Sequence, residues 1–256
     1  MESGLVTLIT CTGNRPDAWE LCQKFMFRQT IFKQLNVEWL VVDDGDTAVK
    51  LQSSVQRLIR GPKTWEEGIN THRLNMDLAL ATAKGEFIFV VEDDDFYKPN
   101  YLEVMLELLQ HFEVVGEGNA KYYNVSVPGY KTMHNREHCS LCQTALRASQ
   151  KDRLYKAVNS GELFFDIVFW RSVIEDEVSS CIFTDKDLCI GMKGLPGRTG
   201  IGVGHRKEKK DFYFDPKYKK LVEWLGQDAE LYKPFMKERS NARPEIQTKT
   251  LRQSNR

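Results

Sequence analysis

The sequence predicts an α/β fold, a mostly parallel sheet flanked by helices, extended by a second half that closes on a terminal helix. Three observations lead there. Short apolar, β-branched runs alternate with helical patterns through the first 112 residues, the spacing of right-handed strand–helix–strand units. Those runs are apolar at successive positions, as in a sheet covered on both faces. After Val114 the pattern changes to the polar/apolar alternation of a mixed sheet. At 256 residues and 41% hydrophobic composition the chain has the apolar mass for a sizeable core, which excludes wholesale disorder.

Leu5–Thr12 reads as the first strand, broken by Gly13-Asn-Arg-Pro-Asp17. Asp17 is a suitable N-cap for a helix from Ala18 to about Phe32. Glu38–Asp43 is the second strand and runs into Asp44-Gly45; Val55–Ile59 is a third. Ile69, Leu74, Leu78 and Ala81 have helical spacing within Glu66–Ala83, and Gly85 stops that helix. Glu86–Val91 is the next strand, ending in Glu92-Asp-Asp-Asp95, and Pro99 opens a helix to about Phe112. Ala120–Val127 and Cys139–Ala148 alternate like strands. Short helices follow, then the glycine-rich segment Gly194–His205 and a last helix over about Tyr218–Glu238. The expected division is a ligand-binding half over 1–115, a second half of the same domain over 116–238, and a basic, frayed tail over 239–256.

Lys plus Arg equals Asp plus Glu, 36 each, so net charge names no partner, but it is unevenly spread. From His205 onward 14 basic residues face 8 acidic ones, a surplus of 6, and residues 1–204 carry the matching deficit. No apolar run approaches the ~20 residues of a membrane span, and Met1-Glu-Ser-Gly4 lacks the features of a signal peptide. The expectation is a soluble, cytoplasmic protein. Cys11, Cys22, Cys181 and Cys189 read as small buried hydrophobes. Cys139 and Cys142, with His134 and His138 just upstream, admit either half a zinc site or incidental thiols on a strand.

In an open parallel sheet, ligands bind beyond the carboxyl ends of the strands, and both acidic clusters lie there. Asp43-Asp44 follows one strand and Glu92-Asp93-Asp94-Asp95 another. Adjacent carboxylates repel unless a cation offsets them, and hard ions such as Mg²⁺ or Mn²⁺ take carboxylate oxygens while leaving positions for phosphate. A metal–diphosphate site is one reading; a solvated acidic turn before a helix is the other.

Several segments taken in order resemble a known family. They are Cys11-Thr-Gly-Asn-Arg-Pro16, Arg28-Gln29-Thr30, Val41-Val-Asp-Asp-Gly45, Arg73-Leu-Asn75, Ala83-Lys-Gly-Glu-Phe87 and Glu92-Asp-Asp-Asp-Phe-Tyr-Lys-Pro99. Collinear over roughly residues 5–112 and weaker to 205, they resemble the family 2 glycosyltransferases of the GT-A fold. The resemblance implies an enzyme that moves a sugar from a nucleotide-sugar, with a UDP-sugar as donor and Mn²⁺ or Mg²⁺ as cofactor. It implies that Thr12 and Arg15 hold nucleoside and diphosphate, that Asp44 pairs with the base, and that Arg73 approaches the nucleotide. Glu92-Asp93-Asp94 falls on the family's D-x-D position, with Asp94 as metal ligand and Glu92 at the ribose or a metal-bound water. Glu92 departs from the usual first Asp.

For the catalytic base the resemblance leaves three carboxylates. Asp185 lies on the family's "E-D-x-x-L" segment, with Thr184 in place of Glu; Asp187 is two residues on; Asp166 precedes Phe169-Trp170, itself readable as that motif. His205 stands where many GT-A enzymes place a further metal ligand, and the glycines before it suggest a loop that closes over the donor, with Arg198 or Arg206 meeting phosphate. A base deprotonating the acceptor hydroxyl implies inversion. The acceptor is a saccharide or, given basic residues interleaved with Phe212, Tyr213, Phe214 and Trp224, a hydroxymethylated base in viral DNA (the protein then lying in the host cytoplasm). Solvated lysine-rich helices, or an anionic membrane surface, account for the same charges. A non-catalytic nucleotide-sugar binding module and a nucleotidyltransferase are the rival readings.

Overall fold

The computed structural model describes residues 4–66, 71–200 and 212–236. Strand and helix alternate from the start: β1 (Val6–Thr12), α1 (Pro16–Phe27), β2 (Val37–Asp43), β3 (Gln56–Arg60), α2 (His72–Thr82), β4 (Phe87–Val90), β5 (Phe96–Tyr97) and α3 (Tyr101–Leu109). The second half adds β6 (Val114–Glu117), β7 (Asn119–Asn124), β8 (Gly129–His134), β9 (Thr144–Arg147), α4 (Lys151–Val158), α5 (Phe165–Glu175), β10 (Ser180–Phe183), β11 (Cys189–Lys193), β12 (Tyr213–Phe214) and α6 (Lys219–Leu225).

Seven strands form the main sheet in the order β10-β6-β9-β4-β1-β2-β3, with β9 antiparallel to both neighbours and the other pairings parallel. A second sheet has the order β12-β8-β7-β11-β5. The two halves of the chain thus share one sheet. Adjacent residues of β1 serve opposite faces, as a strand's period of two requires. Leu8 packs with Phe25, Trp39, Phe89 and Tyr101 on one side, and Ile9 with Leu40, Met76, Ile88 and Trp170 on the other. Burial on both faces is why β1, β2 and β4 read as largely apolar, β-branched or aromatic runs. No helix among the described residues is long and apolar enough to cross a membrane.

Several boundaries differ from expectation. α1 begins at Pro16, because Pro suits the first helical position and Asp17 is favourable within the first turn. It ends at Phe27 because Gln29 leaves the helical path: its Nε2 donates to Phe25 O (3.1 Å) and Lys98 O (2.8 Å), and its Oε1 accepts from Leu102 N (2.9 Å). The helix expected from Glu66 is described from His72, residues 67–70 lying outside the described residues. Cys139–Ala148 holds a strand only at Thr144–Arg147; before it, Leu141–Gln143 forms a 3₁₀ turn anchored by the Tyr101 hydroxyl on Cys142 O (3.0 Å). The last helix breaks at Gly226, whose φ of 58° leaves the right-handed path, and Gly226–Phe235 continues as 3₁₀ with Pro234 inside it.

Glu117, at the end of β6, holds the start of β11 in place. Its fully buried carboxylate accepts from Leu188 N (3.1 Å) and Cys189 N (3.0 Å). Burial pushes this carboxyl from its ordinary 4.5 to about 8. The folded chain therefore holds the proton more tightly than the unfolded chain. The stability it confers is whole below about pH 4.5 and lost as pH rises through about 8. Thermal unfolding of wild type and Glu117→Gln across that window will show the amide variant gaining on wild type as pH rises; parallel curves would refute the assignment.

Candidate active site

A cavity of about 430 Å³ opens beyond the carboxyl ends of β1 and β4, where open α/β sheets place their ligands. One wall is built from the turn after β1. Thr12 Oγ1 donates to Asp93 Oδ2 (2.8 Å), and Arg15 spans two acids, with Nη1 on Asp93 Oδ1 (2.8 Å) and Nη2 on Asp94 Oδ2 (2.6 Å). Gly13 permits this turn, since a Cβ there would overlap Asp44 Oδ1 and lie 2.8 Å from Gly45 N.

The two acids that end β2 divide their work. Asp43 shapes its own loop, accepting from Gly45 N (2.8 Å), Val49 N (2.9 Å) and Arg60 Nη1 (2.8 Å). Asp44 is buried against the site and accepts from the Thr71 hydroxyl, Asn75 Nδ2 (2.8 Å) and Arg198 Nη1 (2.6 Å). The Arg198 guanidinium also lies 5.6 Å from the Trp65 ring centroid, and Trp65 N donates to Asp44 O (2.9 Å). A nucleobase meeting Asp44 Oδ1 would take the place of Arg198.

The acidic turn after β4 lines the cavity floor. Glu92, Asp94 and Asp95 bring one carboxylate oxygen each within 4.8 Å of one another, a hard, all-oxygen donor set that fits Mg²⁺ or Mn²⁺. Lys193, the last residue of β11, reaches the same set: its Nζ is 2.9 Å from Asp95 Oδ1, 3.2 Å from Asp94 Oδ2 and 4.0 Å from Glu92 Oε2. Burial and the neighbouring negative charges push the Glu92 and Asp95 carboxyls up, and Lys193 opposes that shift.

Asp166, in the first turn of α5, lines the same cavity. Burial pushes its carboxyl up, against the backbone N–H groups of its own turn and the charge of His138. Beside it the Phe165 ring stacks on His72 (centroids 5.5 Å apart, planes at 20°). Burial, then the Arg198 charge, lower His72 to about 4, so its imidazole is neutral at pH 7.

The cavity thus gathers Arg15, Glu92, Asp93, Asp94 and Asp166, with Thr12 and Asp44 directly behind. Other expected site residues lie apart from it. Asp185 has a side chain 74% exposed, 3.7 Å from Lys186 Nζ. Asp187 is held by Lys121 Nζ (2.6 Å) and Asn119 Nδ2 (2.7 Å) on the second sheet. Arg73 turns toward α4, donating to Asn159 Oδ1 (2.9 Å). His205 and Arg206 lie outside the described residues. His134, His138, Cys139 and Cys142 do not form a ligand group among the described residues: Cys142 groups with Asp95 and Cys189, His134 is exposed at the end of β8, and burial pushes the Cys139 thiol up.

Three contributors went unrecognised in the sequence. Lys193 was hidden because β11 is too short and glycine-interrupted to read as a strand. Trp65 lies just before, and His72 within, the Glu66–Ala83 segment that reads as plain amphipathic helix.

The sequence model described as "Glycosyl transferase family 2" matches residues 7–177. A comparison with curated protein sequences gives no match. Among solved structures the chain is similar to TarS of S. aureus, with a TM-score of 0.51 and 16% identity over 73% of this chain and 36% of TarS. TarS 1–349 in complex with UDP gives the same score and identity, with 60% of that chain covered. The mannosyltransferase PcManGT from Pyrobaculum calidifontis, in complex with GDP-Man and Mn²⁺, gives a TM-score of 0.54 at 13% identity over 91% of this chain and 70% of that one. At these identities the likeness is one of fold, the GT-A arrangement of a mostly parallel sheet between helices. The family match spans the first-strand loop, both acidic strand ends and Asp166, the residues the cavity brings together: the chain belongs to glycosyl transferase family 2.

Proposed function

We propose that this protein is a glycosyltransferase that moves a sugar from a UDP-sugar to an acceptor hydroxyl with inversion. The observation that carries the reading is that Asp94 and Asp166 line one cavity, a metal-type carboxylate and a separate buried carboxylate facing the same space. Residues 1–115 take the nucleotide-sugar and residues 116–238 supply the base and the acceptor side. The bound UDP of TarS 1–349 and the GDP-Man and Mn²⁺ of PcManGT support the donor class and a divalent ion.

In this reading Glu92, Asp94 and Asp95 hold Mn²⁺ or Mg²⁺, with His205 a further candidate ligand, and such an ion supplies positive charge against the departing diphosphate. Asp44 orients the base and Trp65 offers it a face. Thr12 and Asp93 keep Arg15 directed at the site, where its guanidinium suits phosphate oxygens. Asp166 accepts the acceptor's hydroxyl proton as that oxygen attacks the anomeric carbon, and its raised affinity for protons suits a base working near neutrality. Of the three base candidates only Asp166 lines the cavity.

The acceptor is a saccharide or a hydroxymethylated base in viral DNA. Leu163, Phe164 and Ile167, exposed beside Asp166, favour an acceptor with a planar or apolar face next to its hydroxyl. The test is nucleotide release and transfer with UDP-, GDP- and TDP-sugars, with and without Mn²⁺, offered saccharides and hydroxymethylated duplex DNA. Release of UDP that EDTA stops, and whose metal-stimulated part disappears in Asp94→Ala, is the expected result. Turnover of no nucleotide-sugar would overturn the proposal.

A further inference from the structure

Lys193 is a buried cation held firmly within the acidic cluster. Its backbone is fixed by the β11–β7 pairing, with Val125 N donating to Lys193 O (2.9 Å), while Met192 N donates to Asp95 Oδ1 (3.0 Å). Its side chain is 7% exposed, and its ammonium contacts Asp94 and Asp95 and stands 4.0 Å from Glu92, the three acids whose oxygens converge. Asp94 Oδ2 is already held by Arg15 Nη2 at 2.6 Å. A divalent ion using that oxygen meets two cations of the chain itself. Like charges at such distances in a poorly hydrated site repel strongly.

We propose that the Lys193 ammonium is the resident cation of the Glu92–Asp94–Asp95 cluster, and that a divalent ion displaces it only when a nucleotide diphosphate arrives. This rests on the reading that the cluster takes a metal and the cavity a nucleotide. The diphosphate brings anionic oxygens that ligate the ion and give the displaced ammonium a new partner within reach of its flexible stem. Lys193 is then a positioning residue with two stations: in the absence of ligand it bridges the three crowded carboxyl groups and holds them together, and with ligand bound it meets phosphate. Metal and nucleotide binding are coupled as a consequence.

The experiment titrates Mn²⁺ into the full chain with and without UDP, reading free Mn²⁺ by electron paramagnetic resonance, for wild type, Lys193→Met and Lys193→Arg. Wild type is expected to bind Mn²⁺ weakly alone and tightly with UDP. Lys193→Met binds Mn²⁺ alone roughly tenfold tighter or more, the factor that loss of one repelling charge readily supplies, and Lys193→Arg keeps the weak wild-type binding. Equal Mn²⁺ affinity in wild type and Lys193→Met would overturn the proposal. Should Lys193→Met not fold, wild type alone decides, because Mn²⁺ binding that is as tight without UDP as with it refutes the displacement. Failure to bind UDP sinks the donor assignment instead, while the Mn²⁺-only titrations still report on Lys193.

Discussion

Asp166→Asn lowers the transfer rate by about 10²–10⁴-fold, the range a positioned general base contributes, while UDP still binds. The substitution keeps the shape of the side chain at the head of α5 and removes only its capacity to take a proton. The direction of its pH response follows from the buried carboxyl. Wild-type activity rises with pH as Asp166 loses its proton, at a value above the ordinary carboxylate range, and the residual activity of Asp166→Asn lacks that rise. Asp185→Asn and Asp187→Asn serve as matched controls, since Asp185 points into solvent and Asp187 is bound to Lys121. Steady-state kinetics on the three variants decide the matter. A loss confined to Asp185→Asn or Asp187→Asn, with Asp166→Asn active, would return the base to the later segment.

The other large effect falls on stability. Arg15→Met is expected to destabilise the fold by about 3–5 kcal/mol, the cost of removing one partner from a buried ion pair. Arg15 is 9% exposed and its two Nη atoms hold Asp93 and Asp94, both buried. Without it these acids lie beside Glu92 and Asp95, with Lys193 Nζ still 3.2 Å from Asp94 Oδ2. Their pKa values rise in the folded state, so the variant's deficit grows as pH increases from about 4 toward neutrality and shrinks on acidification. Urea denaturation at several pH values measures this. A deficit that does not depend on pH would mean that lost packing, rather than uncompensated charge, is responsible.

The first-strand loop and the acidic strand ends were legible because they are local. A strand that must be buried on both faces is largely apolar at successive positions, so β1, β2 and β4 stand out in one dimension. The acids that follow them are then placed at the sheet's carboxyl edge by the fold's own geometry. Asp43-Asp44 and Glu92–Asp95 followed from that order, whereas Thr12 and Arg15 were singled out by the family resemblance. Asp43 and Asp44 show the limit of such reading: both follow the same strand, yet one caps its own loop and the other receives Thr71, Asn75 and Arg198 from elsewhere in the chain.

The second half resisted because its strands are short and paired far along the chain. β9 inserts antiparallel between β4 and β6, and β11 pairs with both β5 and β7. Such pairings depend on contacts over long sequence separations, which no local period records. They carry the chemistry that motifs left open. The parallel α/β class and the placing of the acidic clusters at strand ends were determined by the sequence alone, through burial and order. Tertiary structure alone decided that Asp166 rather than Asp185 or Asp187 faces the cavity, that Arg73 turns away from it, and that Lys193 reaches 2.9 Å from Asp95 across 98 residues of chain. The physical reason is that a charge or a base acts through space, and its neighbours in space are chosen by packing.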